Sequence, residues 1–587
     1  MGAGRTGTCA GVVLFVSLVF LAACAGLPRF EEAGPWPPPK AGMVVCEAPL
    51  ASEVGVALLE QGGNAADAAV GMALALAVVY PCAGNLGGGG FALWVANDPT
   101  QEPRCLDFRE VAPAGLKPEL FLDEAGKFVS ERAHQSGLAV GVPGSPRGLY
   151  EFHKALGQLS FQVVTQPAIE LARKGFFVDD FLAAELGEER EKLAADPSAR
   201  ALFFQGDQTL QAGARLVQPE LAKTLERYAA EGPDAFYQGD VAQHLAYAIQ
   251  ERDGVLSLAD LAGYRALWRT PLRGWFRGLE ILTAPPPSSG GLALLQILAL
   301  LDGFPLDEER LRVFAEHPGE RVGLSGRALH WWIECMRLAF ADRAEFLGDP
   351  DFTPVPVAAL LSAERIHAQR ARIGMQANAE LRPLPVAARE GTDTTHLSVL
   401  DAEGNAVSLT TTLNTSFGSG LVAQGTGVLL NDEIDDFAIL AGTPNEYGLV
   451  GGAANALRGG KRPLSSMTPV VVRDTGQVVK LVLGSPGGPK IITGVLEVLL
   501  RNLVYGQDLA SAVAAPRLHQ QWNPSSTEVE PGWDELLLQS LKNAQHTIVI
   551  APDPWGSVQA ITVEVGGEPV GVSDPRSGGL ALRAAPR

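Results

Sequence analysis

The stretch TTHLSVLDAEGNAVSLTTTLN, residues 394–414, decides the fold. Its first seven residues alternate and are rich in β-branched types, as a strand requires. Glu403-Gly404-Asn405 supplies a tight turn, and AVSLTTT returns as a second strand. The pattern repeats downstream, where TPVVVRD, a turn at Thr475-Gly476 and VVKLVLG predict a second hairpin. That hairpin runs through SPGG into an apolar-periodic segment, a helix expected over 491–505. Upstream, EQGGNAADAAV divides two helical stretches. The second, over 65–79, is apolar nearly all round, which at that length means a buried helix and not a membrane span. The middle, 148–374, is mostly helical in pattern, as at 220–231 and 328–346. Hairpins flanked by helices that must cover both sides give an α/β protein, a layered α/β/β/α sandwich.

Composition fits a large folded protein. Of 587 residues 47% are hydrophobic, enough for a sizeable core, and the net charge of −20 excludes a nucleic-acid partner of the basic-stripe kind. Any anionic substrate must then be held by local cations. The N-terminus reads as an export signal. Arg5 precedes the apolar run GVVLFVSLVFLAAC, shorter than the ~20 residues that span a bilayer. Leu21-Ala22-Ala23-Cys24 has the form of a lipobox, so residues 1–24 are expected as a lipoprotein-type signal peptide with Cys24 as the acylation site. The other option is an ordinary signal peptide cut near residues 23–25. Residues 25–42, rich in proline, form a stiff tether. The expectation is an exported periplasmic or cell-surface lipoprotein attached to a membrane through Cys24. Cys46, Cys82, Cys105 and Cys335 match no zinc spacing and leave free thiols and disulfides equally open. The nine histidines show no ligand spacing either, so neither metal nor cofactor is indicated. GNLGGGGFALW (84–94) is a glycine loop running into a strand; that order is wrong for a phosphate cradle and suits close backbone packing.

Residues 394–437 resemble the start of the small subunit in the γ-glutamyltransferase family of N-terminal-nucleophile hydrolases. DFREVAPA (107–114), the glycine loop, PPPSSGG (285–291), LAFADRAEFLGDPDF (338–352), KRPLSSMTPV (461–470), GSPGG (484–488) and RLHQQW (517–522) add to the resemblance, in family order. It implies cleavage between Asp393 and Thr394 into a large subunit (43–393) and a small catalytic subunit (394–587). The two form a heterodimer and build one intertwined domain over 43–587. Thr394 is the implied nucleophile. The chemistry is self-consistent, because a threonine hydroxyl needs a base and the cut places an α-amine, with a pKa of roughly 7.7–8.0, beside it. His396 shares a face with Thr394 but lies about 6–7 Å along the strand, so it is read as structural.

The resemblance assigns the remaining parts. Thr412 on the partner strand positions the nucleophile, and Gly487 and Gly488 offer backbone N–H groups to an oxyanion. Arg109 forks onto the substrate α-carboxylate, aided by Ser465 and Ser466, while Asn414, Glu433 and Asp436 accept from the α-ammonium. Tyr447, in the segment AILAGTPNEYGLVGGAANALRGGK (438–461), stands where the family has an aromatic lid. The implied substrates are glutathione and other γ-glutamyl compounds, with water or an amino acid or peptide as acceptor. Two alternatives differ at the amine pocket or in activity: a glutaryl- or cephalosporin-type acylase, and an inactive surface-anchored homologue. A polyglutamate depolymerase is a third, against which the lid segment argues.

Overall fold

A computed structural model describes residues 39–317, 319, 322–378, 394–440 and 442–585. The export segment with Cys24, most of the tether, and Asp393 lie outside the described residues. Two sheets dominate. The first has seven strands in the order Leu580–Arg583, Met43–Cys46, Thr394–Leu400, Ala406–Thr412, Gly89–Val95, Arg104–Asp107 and Leu267–Arg269, all antiparallel. The second has six: Pro569–Ser573, Gln559–Val563, Val479–Gly484, Val470–Arg473, Leu279–Thr283 and Leu272–Phe276. Both sheets draw strands from either side of residue 393, so neither half of the chain owns a complete core.

Alternation along the strands explains the layering. In the nucleophile strand Leu397 and Val399 turn outward to the helices Pro49–Glu60 and Ala65–Val79, while Leu400 faces the second sheet. Helices Gly290–Leu301, Gly326–Phe346 and Lys490–Leu503 cover that second sheet from its far side. The result is helix, sheet, sheet, helix. Every residue of Ala65–Val79 is buried, as its all-round apolar sequence required. Its start is fixed by Asn64, whose side chain accepts from the N–H groups of Ala66 and Asp67 while Asp67 answers to Asn64 N. Among the described residues no single helix is long and apolar enough to cross a membrane.

Two expectations need adjusting. The middle segment is not helical throughout: it contributes Leu267–Arg269, Leu272–Phe276 and Leu279–Thr283, a strand at the edge of one sheet and a hairpin in the other. The question of the cysteines is settled toward thiols, since Cys46, Cys82, Cys105 and Cys335 are all free and buried.

Candidate active site

Register places Thr394 opposite Thr412. The N–H of His396 points to the strand on the other side, where Glu47 accepts it at 3.0 Å. In an antiparallel ladder the pairs 394/412 and 396/410 are then of the non-hydrogen-bonded kind, which brings side chains closest. The Thr394 and Thr412 hydroxyls lie 3.4 Å apart, and Thr412 Oγ1 accepts the Asn414 N–H at 2.9 Å. His396 is engaged elsewhere: Nδ1 meets Thr410 Oγ1 at 2.8 Å and Nε2 meets Ser398 Oγ at 3.2 Å. Burial depresses this imidazole to about 3, so it is neutral at working pH.

The turn between Val479–Gly484 and Lys490–Leu503 holds Gly487 at φ 121° and Gly488 at φ 51°, conformations that side-chain-bearing residues avoid. A Cβ on Gly488 would stand 2.8 Å from the Tyr447 ring. Both glycines precede a helix whose N-terminal end favours developing negative charge.

Arg109, Thr394, Thr412, Asn414, Glu433, Asp436, Tyr447, Ser465, Ser466 and Gly488 line one cavity of about 20 Å³, room for about one water. Gly487 lies one residue back in the same turn. The cavity is small because its own groups fill it. Arg109 contacts Glu433 through Nη1 and Asp436 through Nη2 at 2.5 Å, with Glu110 at 3.6 Å. The resemblance assigned cation and acids to opposite ends of a zwitterion; here they neutralise one another. Burial works against the Arg109 charge, but Glu433, Asp436 and Glu110 outweigh it and hold the guanidinium above its ordinary range. Burial pushes Glu433 upward and Glu110 up to about 7, opposed by Arg109. Asn414 Nδ2 donates to Asp432 O at 3.1 Å. Tyr447, buried, closes the top with a 2.6 Å hydrogen bond from its hydroxyl to Asn414 O.

Sequence reasoning missed three supporting residues. Glu110 adjoins Arg109, and its position beside the cation was the available signal. Arg343 is buried and donates to Ser289 Oγ at 2.9 Å and Ser466 Oγ at 3.2 Å. It lies inside a motif quoted above without a role. His134 sits among Asp432 (3.7 Å), Asp435 (3.4 Å) and Glu446 (3.6 Å), tying the base of the Tyr447 loop to the acidic turn; a lone histidine in a short helix carries no sequence signal.

Burial opposes His134 protonation, yet the three carboxylates prevail and raise it to about 9. A pKa raised on folding gives stability that is fully present below the unfolded value of about 6.5 and lost as pH climbs through about 9. We expect His134→Gln to cost about 3–5 kcal/mol at pH 7, since it leaves buried acids unpaired. Calorimetry at pH 7 and pH 10 checks this: the gap in Tm between variant and parent should narrow at the higher pH. A constant gap would contradict it.

The family model for gamma-glutamyltranspeptidase matches residues 51–584. The glutathione hydrolase proenzyme of Escherichia coli strain K12 is 43% identical over 547 residues, covering 92% of this chain and 91% of that protein. The acylase ACY 1 proenzyme of Pseudomonas sp. strain SE83 is 35% identical over 560 residues, covering 93% and 95%. Among solved structures, a cephalosporin acylase from Bacillus halodurans superposes with a TM-score of 0.80 at 27% identity, covering 95% of this chain and 98% of that one.

Proposed function

Because the chain belongs to the γ-glutamyltranspeptidase family, we propose that it is an autoprocessed γ-glutamyltransferase and glutathione hydrolase with Thr394 as its nucleophile. The observation that carries this reading is a single cavity that joins the paired hydroxyls of Thr394 and Thr412 to Gly488 and to a buried cation–acid cluster.

In maturation, Thr394 Oγ attacks the Asp393 carbonyl, the peptide rearranges to an ester, and water releases Asp393 as the C-terminus of the large subunit. The freed α-amine of Thr394 then serves as the base. In turnover it takes the hydroxyl proton as Oγ attacks the γ-glutamyl carbonyl. The N–H groups of Gly487 and Gly488 receive the oxyanion, and the proton passes to the departing amine. Water or an amino acid or peptide then attacks the γ-glutamyl ester and regenerates Thr394.

Arg109 recognises the α-carboxylate with Ser465 and Ser466. Glu433, Asp436 and Asn414 recognise the α-ammonium. A zwitterion suits this cluster because its two charges replace the internal ion pairs one for one. Entry requires Tyr447 to withdraw, so the Tyr447 segment acts as a lid. Upstream, Cys24 anchors the exported enzyme at a membrane as a periplasmic or surface lipoprotein.

Likeness to acylases favours one competitor, a glutaryl-amide acylase. A glutaryl group has no amine, so it would displace Arg109 from its acids and leave them uncompensated. The test is to express residues 43–587, weigh the products, and assay γ-glutamyl- and glutaryl-anilides side by side. We expect two fragments, the smaller starting at Thr394, and a preference for the γ-glutamyl compound of at least about 10³-fold in kcat/KM. Equal rates would hand the site to acylase chemistry, and an uncut, inert chain would favour the inactive-homologue reading.

A further inference from the structure

Glu47 follows the strand Met43–Cys46 and lies directly beside the start of the strand Thr394–Leu400. It is 2% exposed. One carboxyl oxygen, Oε2, accepts from the Thr395 hydroxyl and from the His396 N–H at 3.0 Å. The other, Oε1, is buried and has no hydrogen-bond partner among the described residues. An orphaned carboxylate oxygen in a protein interior is costly unless a donor or a cation is meant to meet it.

The strand's own geometry names that donor. Backbone N–H groups two residues apart point to the same neighbouring strand. The His396 N–H points to Glu47, so the nitrogen of Thr394 is the next on that side, about 6–7 Å along the strand. The regular pairing of Met43–Cys46 ends at Cys46 opposite Leu397. Past that point the Glu47 side chain stands where a strand carbonyl would otherwise accept. In the uncut chain the Thr394 nitrogen is a peptide amide. After cleavage it is the α-amine, and when protonated it is a cation beside the free oxygen.

We propose that Glu47 is a positioning residue for the Thr394 α-amine, its carboxyl anchored through Thr395 and His396 and its second oxygen set to pair with the ammonium that autocleavage creates. The inference rests on the reading of Thr394 as an N-terminal nucleophile. Among the described residues no cation faces Glu47 before the cut, and burial pushes its carboxyl up to about 8, eased by Thr395 and His396 and reinforced by Asp574. The other groups facing it are uncharged or compensated. Burial holds the Cys46 thiol up at about 12 and the His396 ring neutral, while Asp574 is paired with Arg517 and Arg576. An ammonium supplied by cleavage would favour the ionised form of this carboxyl, against the upward push of burial.

A carboxylate facing the amine favours the ammonium and raises the pH at which the free base forms. The experiment compares Glu47→Gln and Glu47→Ala with the parent, in the full cleaved heterodimer, by kcat/KM on a γ-glutamyl-anilide from pH 5 to 10. Gln keeps an acceptor for Thr395 and His396, so that variant still cleaves. Its acid limb should move to lower pH by about one unit. Ala should show the same displacement, with slower cleavage and a lower plateau because the anchor is gone. If the limb stays put in Glu47→Gln, the proposal is overturned, whatever happens to Tm. Failure of the premise looks different: Thr394→Ala would then still cleave and turn over.

Discussion

Thr394→Ala should emerge as one uncut chain with no measurable γ-glutamyl transfer. The substitution removes the hydroxyl proposed to attack the Asp393 carbonyl, and with it the proposed route to the α-amine of turnover. One change therefore deletes nucleophile and base together, and a loss of about 10⁶-fold in kcat is the scale such a deletion reaches. Thr394→Ser keeps the hydroxyl and should still mature, more slowly. The Thr394 methyl helps fix the rotamer, and serine lacks that β-branched restraint in a buried strand. Intact mass over time after purification separates the three behaviours. Cleavage in the alanine variant would sink the assignment, because no neighbouring group could then be excluded as the attacker. Thr412, 3.4 Å away, would become the first suspect.

The hairpin carrying Thr394 was legible because its signals are local: alternation, a Glu-Gly-Asn turn, and β-branched residues that fit no other element. The structure gives strands Thr394–Leu400 and Ala406–Thr412 with Gly404 at φ 90°, a turn conformation that suits glycine. The buried helix Ala65–Val79 was legible for the same reason, since fifteen residues with Asp67 in the first turn as their one charged position admit one environment. What the sequence hid is non-local. Nothing in MVVC says that it will lie between residues 394–400 and 580–583, and nothing in CEAP says that Glu47 will meet Thr395 across 348 positions. The hairpin over 272–283 was lost inside a helical stretch because its strands have only five residues each. The residues proposed to bind substrate could be named one by one, but their mutual contact could not. That Arg109 rests against Glu433 and Asp436 depends on the acidic turn Glu433–Asp436 folding back over DFRE, which no local pattern encodes.

That contact makes Arg109 the second position of large effect, and it separates two consequences that are usually confounded. Arg109→Lys keeps a charge but loses the planar fork, so it cannot grip a carboxylate through two parallel bonds. The site should survive and the substrate should be held poorly. We expect KM to rise about 100-fold with maturation unchanged, since cleavage involves no α-carboxylate. Arg109→Ala is a different experiment. The guanidinium is 1% exposed and also bonds the carbonyls of Pro463 and Leu464, so removing it strands Glu433, Glu110 and two acceptors without a cation. Breaking a buried ion pair from one side costs about 3–5 kcal/mol, and three acids around one cation place this case toward the upper end. That variant should therefore lose stability as well as affinity, and should recover part of its Tm as pH falls and Glu110 and Glu433, already pushed upward by burial, take up protons. Steady-state kinetics on the lysine variant and calorimetry from pH 5 to 8 on the alanine variant check the two halves. A lysine variant with normal KM would mean that Arg109 serves only to neutralise its acids, and that the substrate carboxylate is bound by Ser465, Ser466 and the hydroxyl-linked Arg343 instead.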